Sequence, residues 1–227
     1  MNHKRLTLFA GHYGSGKTNI AVNYALQLAR EGKSTCIADL DIVNPYFRTK
    51  DSEAVLEAAG IDLISPKFAN SNVDLPALPA EAYRLVEDKG SFGVMDIGGD
   101  DRGAYALGRY VPFITKENNY RMIFVANCYR PLTKTAQDAL EVMREIEAAC
   151  GLQFTDIVNN SHLGNFTDVQ TLLDSQNFIK ELRELSGLPV YMTTVRADLY
   201  EAVSEQIPNV FPLQLQEKYF DLPDQRL

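Results

Sequence analysis

The chain has 227 residues, 45% of them hydrophobic and 23% charged, with a net charge of −8. That balance describes a globular protein long enough for a substantial core. It offers no apolar run near the ~18 residues of a membrane span, and its acidic excess gives no strong signal for nucleic acid and disfavours an anionic membrane surface.

Leu6 to Ala10 reads as a buried strand behind a short basic start. Residues 11–18, G-H-Y-G-S-G-K-T, follow it and fit the phosphate-loop pattern G-x-x-x-x-G-K-[ST]. Ile20, Ala21, Tyr24, Ala25 and Leu28 then recur at helical spacing, with Gly32 as the stop. Strand, loop and helix are the context this motif requires. Gly11, Gly14 and Gly16 let the backbone curl so that its N–H groups face phosphate oxygens. The cradle is expected to run through His12, Tyr13, Ser15 and on to Asn19, at the positive end of the helix dipole. Lys17 can reach the β- and γ-phosphates, and the Thr18 hydroxyl can bind Mg²⁺.

Residues 34–40 read as a second strand that leads into Asp39-Leu40-Asp41, and the Asn44–Arg48 stretch, holding Pro45, must be a loop. A short helix over 51–59 ends at Gly60, and a brief strand covers 61–65. A Pro- and Asn-rich connection (66–79) precedes a helix around 80–88. Residues 92–96 form an apolar strand ending in Asp96 and followed by Ile97-Gly98-Gly99-Asp100-Asp101. A helix occupies much of 101–118, disturbed near Pro112. Strands at 121–127, 154–158 and 189–195 alternate with helices at 134–150, 168–186 and 198–205. The second of these strands runs into Asn159-Asn160, and the tail after about residue 208 is too mixed to assign. The alternation predicts a three-layer α/β/α fold with a mostly parallel sheet of about seven strands, the P-loop NTPase fold, as one nucleotide-binding domain over 1–227. Cys36, Cys128 and Cys150 are widely spaced, with no C-x-x-C, which fits reduced thiols in the cytoplasm. A basic segment over 102–134, including Arg130, stands out from the acidic whole.

Asp96 is placed to be the second Mg²⁺ anchor, acting through water. No glutamate follows it to activate water. Gly98 and Gly99 permit a close backbone approach that can sense a γ-phosphate, and Asp39, Asp41 and Asp100 converge nearby. Several carboxylates around one phosphate repel it unless Mg²⁺ or an ordered water lies between them. Thr18, Asp41 and Asp96 are the candidate metal ligands.

These motifs together resemble the MinD/ParA-type P-loop ATPases, a group that includes the nitrogenase iron protein, and the resemblance covers most of the chain to about residue 205. It implies that Asp41 positions the attacking water with Asp39 as its companion. It also implies that Gly99 senses the γ-phosphate, that Asp100 is a second acid, and that Asn159, or else Asn160, binds the purine edge. ATP and Mg²⁺, slow hydrolysis, a homodimer and a switch acting on an unidentified protein or cofactor client follow from the likeness. The departures are His12 where many members carry a lysine that reaches the partner's nucleotide, and Tyr13 where glycine is usual; Arg48 is the candidate substitute. A basic amphipathic tail for membrane attachment is missing, as are cysteines between Asp96 and Cys128 for a cluster. A second expectation from the same scaffold is an ATP-dependent synthetase of the dethiobiotin or cobyrinate amide type.

Overall fold

The computed structural model describes residues 2–41, 49–65, 80–99 and 101–215. Eight strands form one wholly parallel sheet: β1 (Leu6–Ala10), β2 (Thr35–Leu40), β3 (Asp62–Ile64), β4 (Phe92–Ile97), β5 (Tyr120–Ala126), β6 (Asp156–Asn159), β7 (Val190–Arg196) and β8 (Val210–Leu213), in the spatial order β3-β2-β4-β1-β5-β6-β7-β8. The eighth strand comes from the tail that sequence pattern left unassigned.

The central strands are buried on both faces, so they read as apolar runs rather than alternating ones. The period-two rule nevertheless splits their side chains between two cores. Leu6, Leu8, Ala10, Met95, Ile97, Met122 and Phe124 pack beneath α3 (Arg84–Glu87), α4 (Asp101–Gly108), α5 (Val111–Glu117), α6 (Ala136–Cys150) and α7 (Val169–Ser186). Phe9, Ile37, Val94, Ile123, Val125 and Val158 pack against α1 (Lys17–Arg30) through Ile20, Ala21, Tyr24, Ala25 and Leu28, and against Leu56 of α2 (Glu53–Ala58). A small third cluster joins Val203 of α8 (Tyr200–Val203) to Leu172, Val195 and Ile207.

Helix ends follow local chemistry. Thr135 with Asp138, and Asp168 with Thr171, form reciprocal N-terminal capping boxes for α6 and α7, and both helices end at a glycine in the left-handed region, Gly151 and Gly187. Pro112, at the start of α5, divides 101–118 into two helices.

The chain runs from β1 to one side of the sheet for β2, β3 and β4, and then crosses to the other side for β5 onwards. β1 is therefore the switch point, and the crevice at its carboxyl end is where α/β sheets of this kind bind ligands. Asp39 on β2 and Phe9 on β1 both stand opposite Asp96 on β4, so the acids of two strands arrive beside the loop that leaves the third.

Candidate functional site

The loop between β1 and α1 is shaped by its glycines. Gly16, the N-cap of α1, has φ 90°, and no side chain caps the helix, so the first-turn N–H groups are left to a ligand. At Gly11 a Cβ would stand 2.6 Å from Val125 O. Ser15 N donates to His12 O at 3.1 Å, closing the turn, and Lys17 Nζ donates to the same carbonyl at 3.2 Å. Lys17 is buried, and the Ser15 hydroxyl is buried with no hydrogen-bond partner among the described residues. His12 Nδ1 donates to Tyr13 O, and the Tyr13 ring is exposed.

Behind the loop, Asp96 is 1% exposed. Its Oδ2 accepts from the Thr49 hydroxyl at 3.1 Å, Thr18 also hydrogen-bonds the carboxylate, and among the described residues Oδ1 has no partner. Burial pushes this carboxyl up, with Asp41 adding to the rise and Lys17 opposing it. Asp39 is equally buried, and its Oδ1 accepts from Asp41 N at 3.0 Å, which fixes the turn that places Asp41 on the wall of the cavity. Gly99 lies against the loop: a Cβ there would stand 2.7 Å from Tyr13 N and 2.9 Å from Lys17 Nζ. Asp100 and Arg48 lie outside the described residues.

A buried carboxylate oxygen without a partner is costly unless something absent from the protein chain completes it. Asp96 Oδ1, with Thr18 beside it, fits a hydrated Mg²⁺; Ser15 Oγ, a donor inside the loop, fits a phosphate oxygen.

The cavity, about 590 Å³, opens from Gly14, Gly16, Thr18 and Asn19 toward the loops after β5, β6, β7 and β8. Asn160 lines it, but its amide is engaged on both sides: Nδ2 donates to Ser15 O, and Oδ1 accepts from the Thr194 hydroxyl, each at 2.5 Å. Asn159 is fully buried, donates to Ser175 Oγ at 2.9 Å and accepts from Ser161 N, so its side chain is directed at α7. The structure brings Tyr13, Gly14, Gly16, Lys17, Thr18, Asn19, Asp41 and Asn160 together around the cavity; Gly11, His12, Ser15, Asp39, Asp96, Gly99 and Asn159 are not on its wall. It adds residues that sequence reasoning did not put at the site. Arg130, noted only within a basic segment, donates from Nε to Gly14 O at 2.8 Å. His162 lies beside Gly16, with Nδ1 accepting from Gly164 N at 3.0 Å; burial and then the Arg130 charge push its pKa down to about 4. Leu163, Phe166, Arg196 and Leu215 complete the far wall.

No family model and no curated protein sequence matches the chain. Solved structures do match. The cell division protein FtsY of Thermotoga maritima is 20% identical with a TM-score of 0.58, covering 84% of this chain and 61% of that one. The signal recognition particle receptor FtsY of Elizabethkingia anophelis, solved with GDP, is 13% identical with a TM-score of 0.53 over 86% of this chain and 58% of that one. The 54 kDa signal recognition particle protein of Aeropyrum pernix, also with GDP, is 17% identical with a TM-score of 0.55 over 85% and 41%. The chain thus spans at most about three-fifths of the length of these three. At such identity the likeness is one of fold, the α/β fold of the P-loop NTPases. Among the described residues no helix is long and apolar enough to cross a membrane.

Proposed function

We propose that the chain binds a nucleoside triphosphate with Mg²⁺, hydrolyses it slowly and uses the change of state as a switch on a partner. One observation carries this reading. The P-loop and the acids of β2 and β4 meet at the switch point of the sheet, with two buried polar atoms there, Ser15 Oγ and Asp96 Oδ1, lacking a hydrogen-bond partner among the described residues. Lys17 and the first-turn amides of α1 hold the phosphates. Asp41 orients the attacking water, held in place by the Asp39 contact to its backbone. Gly99, packed against Tyr13 and Lys17, places a backbone amide where the γ-phosphate ends. Thr18, and Asp96 through water, with Asp41 in reach, would hold Mg²⁺, which would supply neutralisation of the phosphate charge.

ATP is the first reading of the nucleotide, on the resemblance to MinD/ParA-type ATPases. The GDP in two of the similar structures supports guanine nucleotide as the second. Calorimetry with MgATP and MgGTP, followed by phosphate release without any added substrate, tests both. The expected outcome is micromolar or tighter binding of one of them and turnover by the protein alone. Turnover only with an added small carboxylate or amide would favour a synthetase. Lys17→Ala is expected to lose nucleotide binding while the fold survives, because the lysine contributes charge to a loop shaped mainly by glycines.

A further inference from the structure

Charge in the site is unevenly supplied. Asp39, Asp41 and Asp96 are all buried there, and a bound nucleotide adds several negative charges to theirs. Among the described residues the cavity is lined by the cations Lys17, Arg130 and Arg196. Arg196 is committed elsewhere: its Nε and Nη2 meet Asp198 at 2.5 and 2.8 Å. Arg130 is different. Its Nε donates to Gly14 O at 2.8 Å, and among the described residues no carboxylate pairs with it and no protein acceptor takes Nη1 or Nη2.

The turn that carries Arg130 is also held in place. Arg130 N donates to Asn127 O at 3.2 Å, Thr133 N donates to Arg130 O at 3.1 Å, and the Thr133 hydroxyl returns to Asn127 O at 2.7 Å. Asn127, fully buried, ties this turn to the neighbouring one, accepting from His162 N at 3.4 Å. His162 Nδ1 is an acceptor for Gly164 N, so its N–H is on Nε2, which lies beside Gly16. Arg130 at Gly14 and His162 at Gly16 thus flank the middle of the phosphate loop. Gly99, by contrast, abuts Tyr13 and Lys17.

Resting on the nucleotide reading above, we propose that Arg130 is a second phosphate-binding cation, supplied within the same chain and directed at the α,β-diphosphate. A guanidinium anchored by Nε and open at both terminal nitrogens has the fork that matches paired phosphate oxygens. Because it faces the diphosphate, it contributes to diphosphate and triphosphate binding alike, and it does not depend on the base.

The probes are inorganic pyrophosphate and the Mg²⁺ complexes of ADP and GDP, titrated against wild type and Arg130→Gln, which retains a donor for Gly14 O but no charge. Affinity for pyrophosphate and for the preferred nucleoside diphosphate is expected to fall by the same factor, about tenfold to a hundredfold, with a weaker dependence on salt. Arg130→Lys is expected to recover part of the loss. A second measurement needs no variant: pyrophosphate is expected to shield Arg130, but not Arg196, from phenylglyoxal in wild-type protein, read by peptide mass spectrometry. Pyrophosphate affinity unchanged in Arg130→Gln, or Arg130 modified equally with and without pyrophosphate, overturns the proposal. Wild-type protein that binds neither pyrophosphate nor nucleotide overturns the reading beneath it instead.

Discussion

His162 is a neutral ring in the wall of the proposed phosphate site, and its proton balance can be read out. Its pKa lies at 6.5 in an unfolded chain and at about 4 here, lowered first by burial and then by Arg130. Between those values the unfolded chain takes up a proton that the folded chain refuses. The ring's contribution to stability is therefore whole above 6.5 and is lost as pH falls toward about 4. His162→Gln cannot titrate, so its melting temperature relative to wild type is expected to rise as pH is lowered through that window. A constant difference would remove the burial account. Asp41→Asn probes chemistry instead: nucleotide should remain bound while single-turnover hydrolysis slows ~10²–10⁴-fold, the usual loss for a positioned acid–base group. An unchanged rate would leave Asp41 with no part in the chemistry. The loop glycines and Lys17 were legible in the sequence because spacing along one strand–loop–helix unit encodes their geometry, and Asp41 and Asp96 because each stands at the end of an apolar strand. Arg130 was not, since its contact to Gly14 spans 116 positions and exists only because β5 lies next to β1.

Among the connecting elements, the turns after β5 and β6 act as a pair. Asn127 Oδ1 accepts from Tyr129 N at 3.0 Å and from His162 N, and Ser161 Oγ accepts from Cys128 N at 3.1 Å. Losing a buried amide that serves several backbone groups costs about 1–3 kcal/mol. Asn127→Ala is expected to lower stability by that order and to speed hydrogen exchange in both turns, 128–133 and 161–167, together. Faster exchange in only one of them would show that the turns are held separately. The helices were mostly readable, since their caps and the break at Pro112 are local signals. β8 was not. Its four residues include Pro212, which ordinarily argues against a strand. An edge strand tolerates it, and Pro212 is exposed at the end of the strand order, where among the described residues one side has no further strand to pair with.

For the molecule as a whole, the site opens at the carboxyl ends of the strands, and exposed Tyr13, Tyr105, Leu132 and Phe166 belong to the loops and helix that follow β1, β4, β5 and β6. On the proposed function, a triphosphate draws Asp41 and Gly99 into one arrangement and two copies meet across these ends. Light scattering of Asp41→Asn is expected to give twice the monomer mass with ATP, or with GTP if that is the preferred nucleotide, and the monomer mass with the diphosphate. Equal mass in both states would remove the gated dimer.

The far wall of the cavity has a consequence for the order in which the protein is made. Leu213 and Leu215 line the cavity, and between them Gln214 is clasped by Asn23 of α1, which donates to its carbonyl at 2.9 Å and accepts from its amide at 3.0 Å across 191 positions. The loop after β1 is synthesised well before β8, yet the pocket it lines waits for that strand. β1 itself stays unpaired until β4 and β5 have been synthesised. Contacts of such long reach make folding slow. Nucleotide therefore has no completed pocket to nucleate on during synthesis, and can reward only a chain that has already been threaded through to its eighth strand.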